Sequence, residues 1–420
     1  MQINPARSRS RRARGVAAGL LAAVTALALA ACGSGGSGAA SSSAVAGGSS
    51  EGAAGSSGAV TASSESTAGS AGADGSLTGS ATDAPARPSS TAGGATGSAP
   101  VAGGTVTLIT HDSFAVDKHT LAEFEKSSGI TVQILAQGDA GAMVSKLILT
   151  KDNPLGDAVF GIDNTFASKA LDAGVLAPYT SPLAGNGSDD FGIDPQHRLT
   201  AIDYGDVCVN VDHRYFSGHG LTEPKTFEDL ADPQYRDMLV VESPATSSPG
   251  LAFLLGTIAH FGADGWQQYW KSLKDNGVKV DAGWTDAYTV DFSGSSGKGD
   301  RPLVVSYASS PPDEVQPGMT SAPTGALLDT CFRQVEYAGV LAGAKNPAAA
   351  GKVVDFLLSR EFQAQVPEQM YVYPVDKAVT LPPDWAKYAP VAPDPAELDP
   401  AQIAEHRQQW ITDWSDLMEG

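Results

Sequence analysis

The chain runs to 420 residues and carries 47 acidic against 27 basic side chains, a formal net charge of −20. That balance excludes nucleic acid and an anionic membrane surface as partners and is compatible with a cationic ligand. No Cys-x-x-Cys or His-Glu-x-x-His spacing points to a metal site, and no cofactor is expected.

The first fifteen residues, MQINPARSRSRRARG, hold five arginines and no acid, and the apolar run that follows ends in Leu29-Ala30-Ala31-Cys32. Residues 1–31 therefore read as an export signal, too short for a transmembrane span. The Leu-Ala-Ala-Cys end resembles a bacterial lipobox, which implies that Cys32 is lipidated and becomes the mature N-terminus. Residues 32–103 are almost entirely Gly, Ser, Ala and Thr. Such a segment cannot bury enough apolar surface to fold, so a disordered, lipid-anchored tether is expected. About 70 flexible residues span roughly 45 Å, enough to hold a folded body clear of a membrane.

The remaining chain alternates β-rich runs with helical patterns. TVTLIT, ITVQIL and DAVFGI read as strands, and DKHTLAEFEKSSG, AMVSKLILT and TFASKALDAG as the helices between and after them. This βαβαβ order predicts an open, mostly parallel sheet whose binding edge lies at the strand C-termini. DYGDVCVNVD, with Val207, Val209 and Val211 alternating, reads as a long crossover strand. A second αβ region follows: the helix TFEDLADPQYR, the strand MLVVES, the helices PGLAFLLGTIAHFG and WQQYWKSLKDNG, and the strands VKVDAG and PLVVSYASS. An extended run near Asp329–Tyr337 returns the chain to the first lobe, and Asn346-Pro347 opens another helix. The expected divisions are a first lobe over 104–205, a second over 206–326, a return over 327–370, and a C-terminal helical segment over 371–420. In the last, Ile403, Arg407, Trp410, Trp414 and Leu417 fall on one helical face, which reads as packing.

After Cys32 only Cys208 and Cys331 remain. In an exported compartment two cysteines are most simply one disulfide, here joining the two connections between the lobes. Polar and aromatic residues gather where the strands end: His111 and Asp112, then Asp139 with Ala140, then Asp163. In the second region Ser247 and Ser248 follow LVVES, Trp284 and Tyr288 follow VKVDAG, and Tyr307, Ser309 and Ser310 lie on LVVSYASS. Each has a plain structural use as cap, core or strand face. Together they suit a small, flat cation, with aromatic faces for the charge, carboxylates for an amine, and a serine-bearing helix start for a hydroxyl or phosphate.

The segments THDSF, GDAGAMVSKL, VFGIDN, DYG, SSPGLAFLL, GWTDAY, VVSYASSP, YPV and HRQQWITDW, in this order, resemble the thiamine-binding receptor proteins of bacterial ABC importers. The resemblance covers nearly all of the chain from Thr105 onward. It implies an α/β, two-lobed periplasmic-binding-protein-like fold of type II, with hinge-linked sheets and ligand held in the cleft. It also implies that Asp139 and Ala140 touch the ligand, that Ser247 and Ser248 receive its hydroxyl or phosphate, and that Trp284 meets its rings. His111, Tyr371 and Asp313 depart from the family pattern, which often shows aromatic residues there. The partners implied are thiamine or a thiamine phosphate, a permease and, through the lipid, the membrane; the protein is expected to be a monomer and no enzyme. The alternatives are a receptor of the same fold for ferric iron, a polyamine or an aminophosphonate, and a thiaminase I-like enzyme, which would need an activated cysteine.

Overall fold

The computed structural model describes residues 103–295 and 299–420. The signal segment, Cys32 and all of the expected tether before residue 103 lie outside them. The strands are β1 (Gly104–Thr110), β2 (Ile130–Ala136), β3 (Ala158–Asp163), β4 (Leu176–Ala177), β5 (Thr200–Asp212), β6 (Leu239–Glu242), β7 (Lys279–Asp281), β8 (Leu303–Tyr307), β9 (Thr324–Leu341) and β10 (Tyr373–Pro374). They follow the path β2-β1-β3-β9-β5-β8-β6-β7, with β4 added to β9 and β10 to β5.

The first lobe is built as its sequence pattern predicts. Asp117 accepts hydrogen bonds from the His119 and Thr120 amides and starts the Lys118–Ser128 helix, which Gly129 ends in the left-handed region at φ 71°. β1 pairs in parallel with both β2 and β3, and all of β3 is buried. In the second lobe β6 pairs in parallel with β7 and β8. Behind them the Ser248–Phe261 helix is buried from Ser248 to Ile258. Each large apolar side chain so enclosed contributes about 1.5–3 kcal/mol.

β5 and β9 join the two halves. The C-terminal part of β9 lies against β3, the C-terminal part of β5 lies against β8, and the two strands are antiparallel to each other along their length. Both therefore leave one lobe and enter the other together. Their register shifts between Val207 and Val209, and there Cys208 is bonded to Cys331, with the Cα atoms 4.2 Å apart.

Three stretches differ from their sequence pattern. TFEDLADPQYR breaks into a Phe227–Leu230 helix and a 3₁₀ turn at Pro233–Tyr235. Pro233 lacks an N–H and holds Asp232 extended. Residues 371–399 contain β10 and a short Trp385–Tyr388 helix amid proline-interrupted loops, so the long C-terminal helix begins only at Pro400. The run after β7, without an assigned element in the sequence pattern, winds helically from Trp284 to Asp291.

The Pro400–Glu419 helix spans the back of both lobes. Its buried Arg407 donates to the Thr165 carbonyl and to Ser168 Oγ in the first lobe, at 3.2 and 2.7 Å. Trp414 packs edge-on against Trp270 of the second lobe, with ring centroids 5.4 Å apart. Among the described residues no helix is long and apolar enough to cross a membrane.

Candidate functional site

A cavity of about 330 Å³ opens between the lobes, at the lower end of the range for small-molecule sites. β1 and β2 run in register to Thr110 and Ala136, so the loops that follow emerge side by side. They are tied together: the Gly138 N–H donates to Asp112 Oδ1 at 2.9 Å and the Asp112 N–H to the Gly138 carbonyl at 3.1 Å. His111, Asp112, Asp139 and Ala140 thus form one wall. Ser248, Trp284, Tyr307 and Ser310 form the opposite wall, and Tyr371 lies at the border.

Asp139 caps the Ala140–Leu149 helix through the Ala140 N–H, at 2.7 Å. The same carboxylate reaches across the cleft. It accepts from the Ser248 N–H at 3.3 Å, at the start of the Ser248–Phe261 helix, and from the Trp284 N–H at 3.0 Å. One anion therefore answers the N-termini of two helices, where partial positive charge accumulates. The Ala142 N–H donates to the Thr246 carbonyl at 3.0 Å. This approach requires Gly141, since a Cβ there would lie 2.8 Å from the Thr246 carbonyl carbon and 2.7 Å from Phe166.

Beneath the cavity lies a buried chain of ionisable groups. His111 Nε2 is 3.3 Å from Glu336 Oε1. Burial pulls the imidazole toward neutrality, but the charge and hydrogen bond of Glu336 outweigh it and hold its pKa above the ordinary value. Nδ1 accepts from the Ser113 N–H at 3.2 Å, which places the proton of the neutral ring on Nε2, toward Glu336. Asp203 faces Glu336 across the β5–β9 ladder. Burial first, then the charge of Glu336, pushes the Asp203 carboxyl well above the usual carboxylate range. For Glu336 burial acts upward, but His111 and Asp203 prevail and its pKa is lowered. Gly161, at φ 98°, leaves room for His111: a Cβ there would collide with the imidazole.

The opposite wall is aromatic. Trp284 stacks on Tyr288 with centroids 4.9 Å apart and planes at 16°, and its indole N–H donates to Ser306 Oγ at 2.9 Å. The Tyr288 hydroxyl donates to Glu314 at 3.0 Å; burial lifts that carboxyl to about 7 against the opposing Tyr288 bond. The Tyr307 hydroxyl accepts from Gln334 Nε2 at 2.9 Å, and burial drives its pKa well upward, so it stays a neutral phenol.

Three expected site residues do not line the cavity. Asp163 is wholly buried; it accepts from the Ser248 hydroxyl and from the Thr165 N–H, the latter at 2.6 Å. Burial raises its pKa to about 6 although these bonds act downward. Ser247 is the helix N-cap, its hydroxyl accepting from Gly250. Ser309 donates to the Tyr371 carbonyl at 2.6 Å and so supports Tyr371 in its left-handed conformation, φ 56°. The residues sequence reasoning missed include Glu336, Gln369, Met370 and Val372. Glu336 carried a legible signal, a lone acid in the otherwise apolar run VEYAGVL. Tyr288 and Asp313, noted in the sequence but not assigned to the site, also line the cavity. The disulfide leaves neither Cys208 nor Cys331 as a thiol nucleophile.

Comparison with known proteins places this geometry among relatives. The family model of bacterial extracellular solute-binding proteins matches residues 154–393. The chain is 29% identical over 323 residues to the thiamine-binding periplasmic protein of Escherichia coli K12, covering 76% of this chain and 94% of that protein. The thiamine-binding periplasmic protein of Brucella suis is 27% identical over 331 residues, covering 76% and 94%. A solved periplasmic thiamin-binding protein superposes with a TM-score of 0.67 at 27% identity, covering 75% of this chain and 96% of that one.

Proposed function

The chain belongs to the bacterial extracellular solute-binding proteins, and from that premise we propose that it captures thiamine outside the cytoplasm and delivers it to the permease of an ABC importer. The observation that carries this reading is the pairing of an aromatic wall, Trp284 stacked on Tyr288, with the carboxylates of Asp112 and Asp139 across one cavity. A flat organic cation satisfies both at once. Its ring lies against the indole, a contact worth about 0.5–2 kcal/mol, and the carboxylates accept from its amine and balance its charge. The thiamine-binding relatives agree with this choice over iron, polyamine or aminophosphonate.

Binding involves no bond chemistry. Ligand that touches both walls favours the closed arrangement over an open one, a shift of population. The lipid on Cys32 and the Gly/Ser/Ala-rich tether would hold a monomeric receptor at the outer face of the membrane, and Cys32→Ala is expected to move the protein from the membrane fraction to the soluble one. Isothermal titration of the purified protein with thiamine is expected to show saturable 1:1 heat and a raised melting temperature, with thiamine recovered unchanged. No heat together with no thermal shift would overturn the reading.

A further inference from the structure

Resting on the thiamine reading, we propose that the cationic ligand takes the place of a proton: His111 is the resident counter-cation of Glu336, and binding of a flat cation expels the imidazole proton to solvent. The cavity wall carries four carboxylates, those of Asp112, Asp139, Asp313 and Glu336, and His111 is its only basic side chain. Glu336 is itself buried, and its one ion pair among the described residues is with His111, Nε2 to Oε1 at 3.3 Å. An organic cation in the same cavity is a second positive charge for that carboxylate, and two cations beside one buried anion repel each other where water screens poorly. Only the imidazole can relieve this by giving up a proton.

The ring is poised for that loss. Glu336 favours the imidazolium, Asp139 and Asp112 add to its pull, and against the effect of burial the pKa stands above the ordinary 6.5. The Ser113 N–H, donating to Nδ1 at 3.2 Å, favours the neutral ring. The departing proton is therefore the one on Nδ1, whose lone pair takes up the Ser113 amide, while Nε2 keeps its proton toward Glu336. The other neighbours bring no cation: the Phe160 ring of β3 lies 5.5 Å from the imidazole, Asp203 of β5 stands opposite Glu336 in the ladder, and Asp163 of β3 and the Tyr307 phenol of β8 feel the Glu336 charge. Proton release and affinity are then one linked equilibrium. As pH rises through the interval between the ring's lowered ligand-bound pKa and its raised ligand-free one, binding tightens, and above that interval it levels off.

The test is calorimetric titration of the purified protein with thiamine in buffers of differing ionisation enthalpy, which counts the protons released, across a range of pH. The wild-type protein is expected to release about half a proton or more per thiamine near neutrality and to gain about tenfold in affinity between about pH 6 and about pH 8. The double substitution His111→Gln/Glu336→Gln removes both charges together, so no buried charge is left unpaired and the fold is protected. It should release no proton and hold its affinity within about threefold over the same range. Glu336→Gln alone takes away the counter-charge, and should abolish the release and weaken thiamine binding about tenfold near pH 8. Thiamine binding by the wild type without proton release, and with flat affinity, overturns this inference while leaving thiamine recognition intact. Release that persists in both variants also overturns it, since Asp163 and Asp281, at about 6, and Glu314, at about 7, titrate in the same range without lining the cavity. If thiamine gives the wild type neither heat nor a thermal shift, it is the thiamine reading itself that fails.

Discussion

Across the cleft the first lobe presents charge, the carboxylates of Asp112 and Asp139 with the His111–Glu336 pair behind them, whereas the second presents rings, Trp284, Tyr288 and Tyr307. The walls are also held differently. Asp139 is fixed by backbone N–H groups, two of them donated from the far side. Trp284 is fixed within its own lobe, by Tyr288 on one face and by the Ser306 hydroxyl at its nitrogen. The aromatic side chains are therefore positioned within one lobe, while the acidic wall takes part of its hydrogen bonding from the other. The proposed flat cation needs both walls at once.

The largest effect is expected where both walls share support, at the disulfide joining β5 to β9. Its partners are separated by 123 residues, and chain entropy puts the loss in Cys208→Ser/Cys331→Ser at about 5 kcal/mol. Urea unfolding with and without reductant measures it; coincident curves for wild type and variant would show the pivot needs no covalent tie.

The closing contact comes next. Asp163, in the first lobe, accepts from Ser248 of the second and has a pKa near 6 against an ordinary 3.8. The folded state thus binds this proton more tightly than the unfolded chain. Its contribution to stability is complete below about pH 4, is lost as pH rises through about 6, and amounts to about 3 kcal/mol. Asp163→Asn is expected to flatten that part of the pH–stability profile, and an unchanged profile would place the titration elsewhere.

Breaking the aromatic wall affects binding before stability. Trp284→Ala is expected to weaken thiamine binding by about 2 kcal/mol, some thirtyfold, with Trp284→Phe recovering most of it. Calorimetry at constant ionic strength reads both. The smallest change sharpens the contrast: Ser306→Ala removes only the partner of the indole N–H and should cost about 1 kcal/mol in affinity. If Ser306→Ala matches Trp284→Ala, orientation of the ring matters more than its presence.

Much of this was legible in the chain itself. Asp117 and Gly129 bracket their helix by local hydrogen bonding and backbone preference, and the apolar runs of β3 and β8 mark buried strands. The ends of β1, β2, β7 and β8 identified where His111, Asp139, Trp284 and Tyr307 would gather, because the strands of an α/β sheet present their binding groups at one edge. Local chemistry was less informative at Ser247 and Ser309, whose hydroxyls serve a cap and a carbonyl instead of the cavity.

By itself, then, the sequence determined the order of strands and helices, the edge on which polar groups collect and the pairing of its last two cysteines, since these follow from short-range periodicity and simple counting. Only the tertiary structure decided that Asp139 takes the Ser248 amide, that Asp163 takes the Ser248 hydroxyl, and that Glu336 sits beneath His111. Asp139 and Ser248 are 109 residues apart, and Asp163 and Ser248 are 85 apart. A hydrogen bond over that separation depends on how two lobes meet to within an ångström, a property of the assembled cleft that no local pattern encodes.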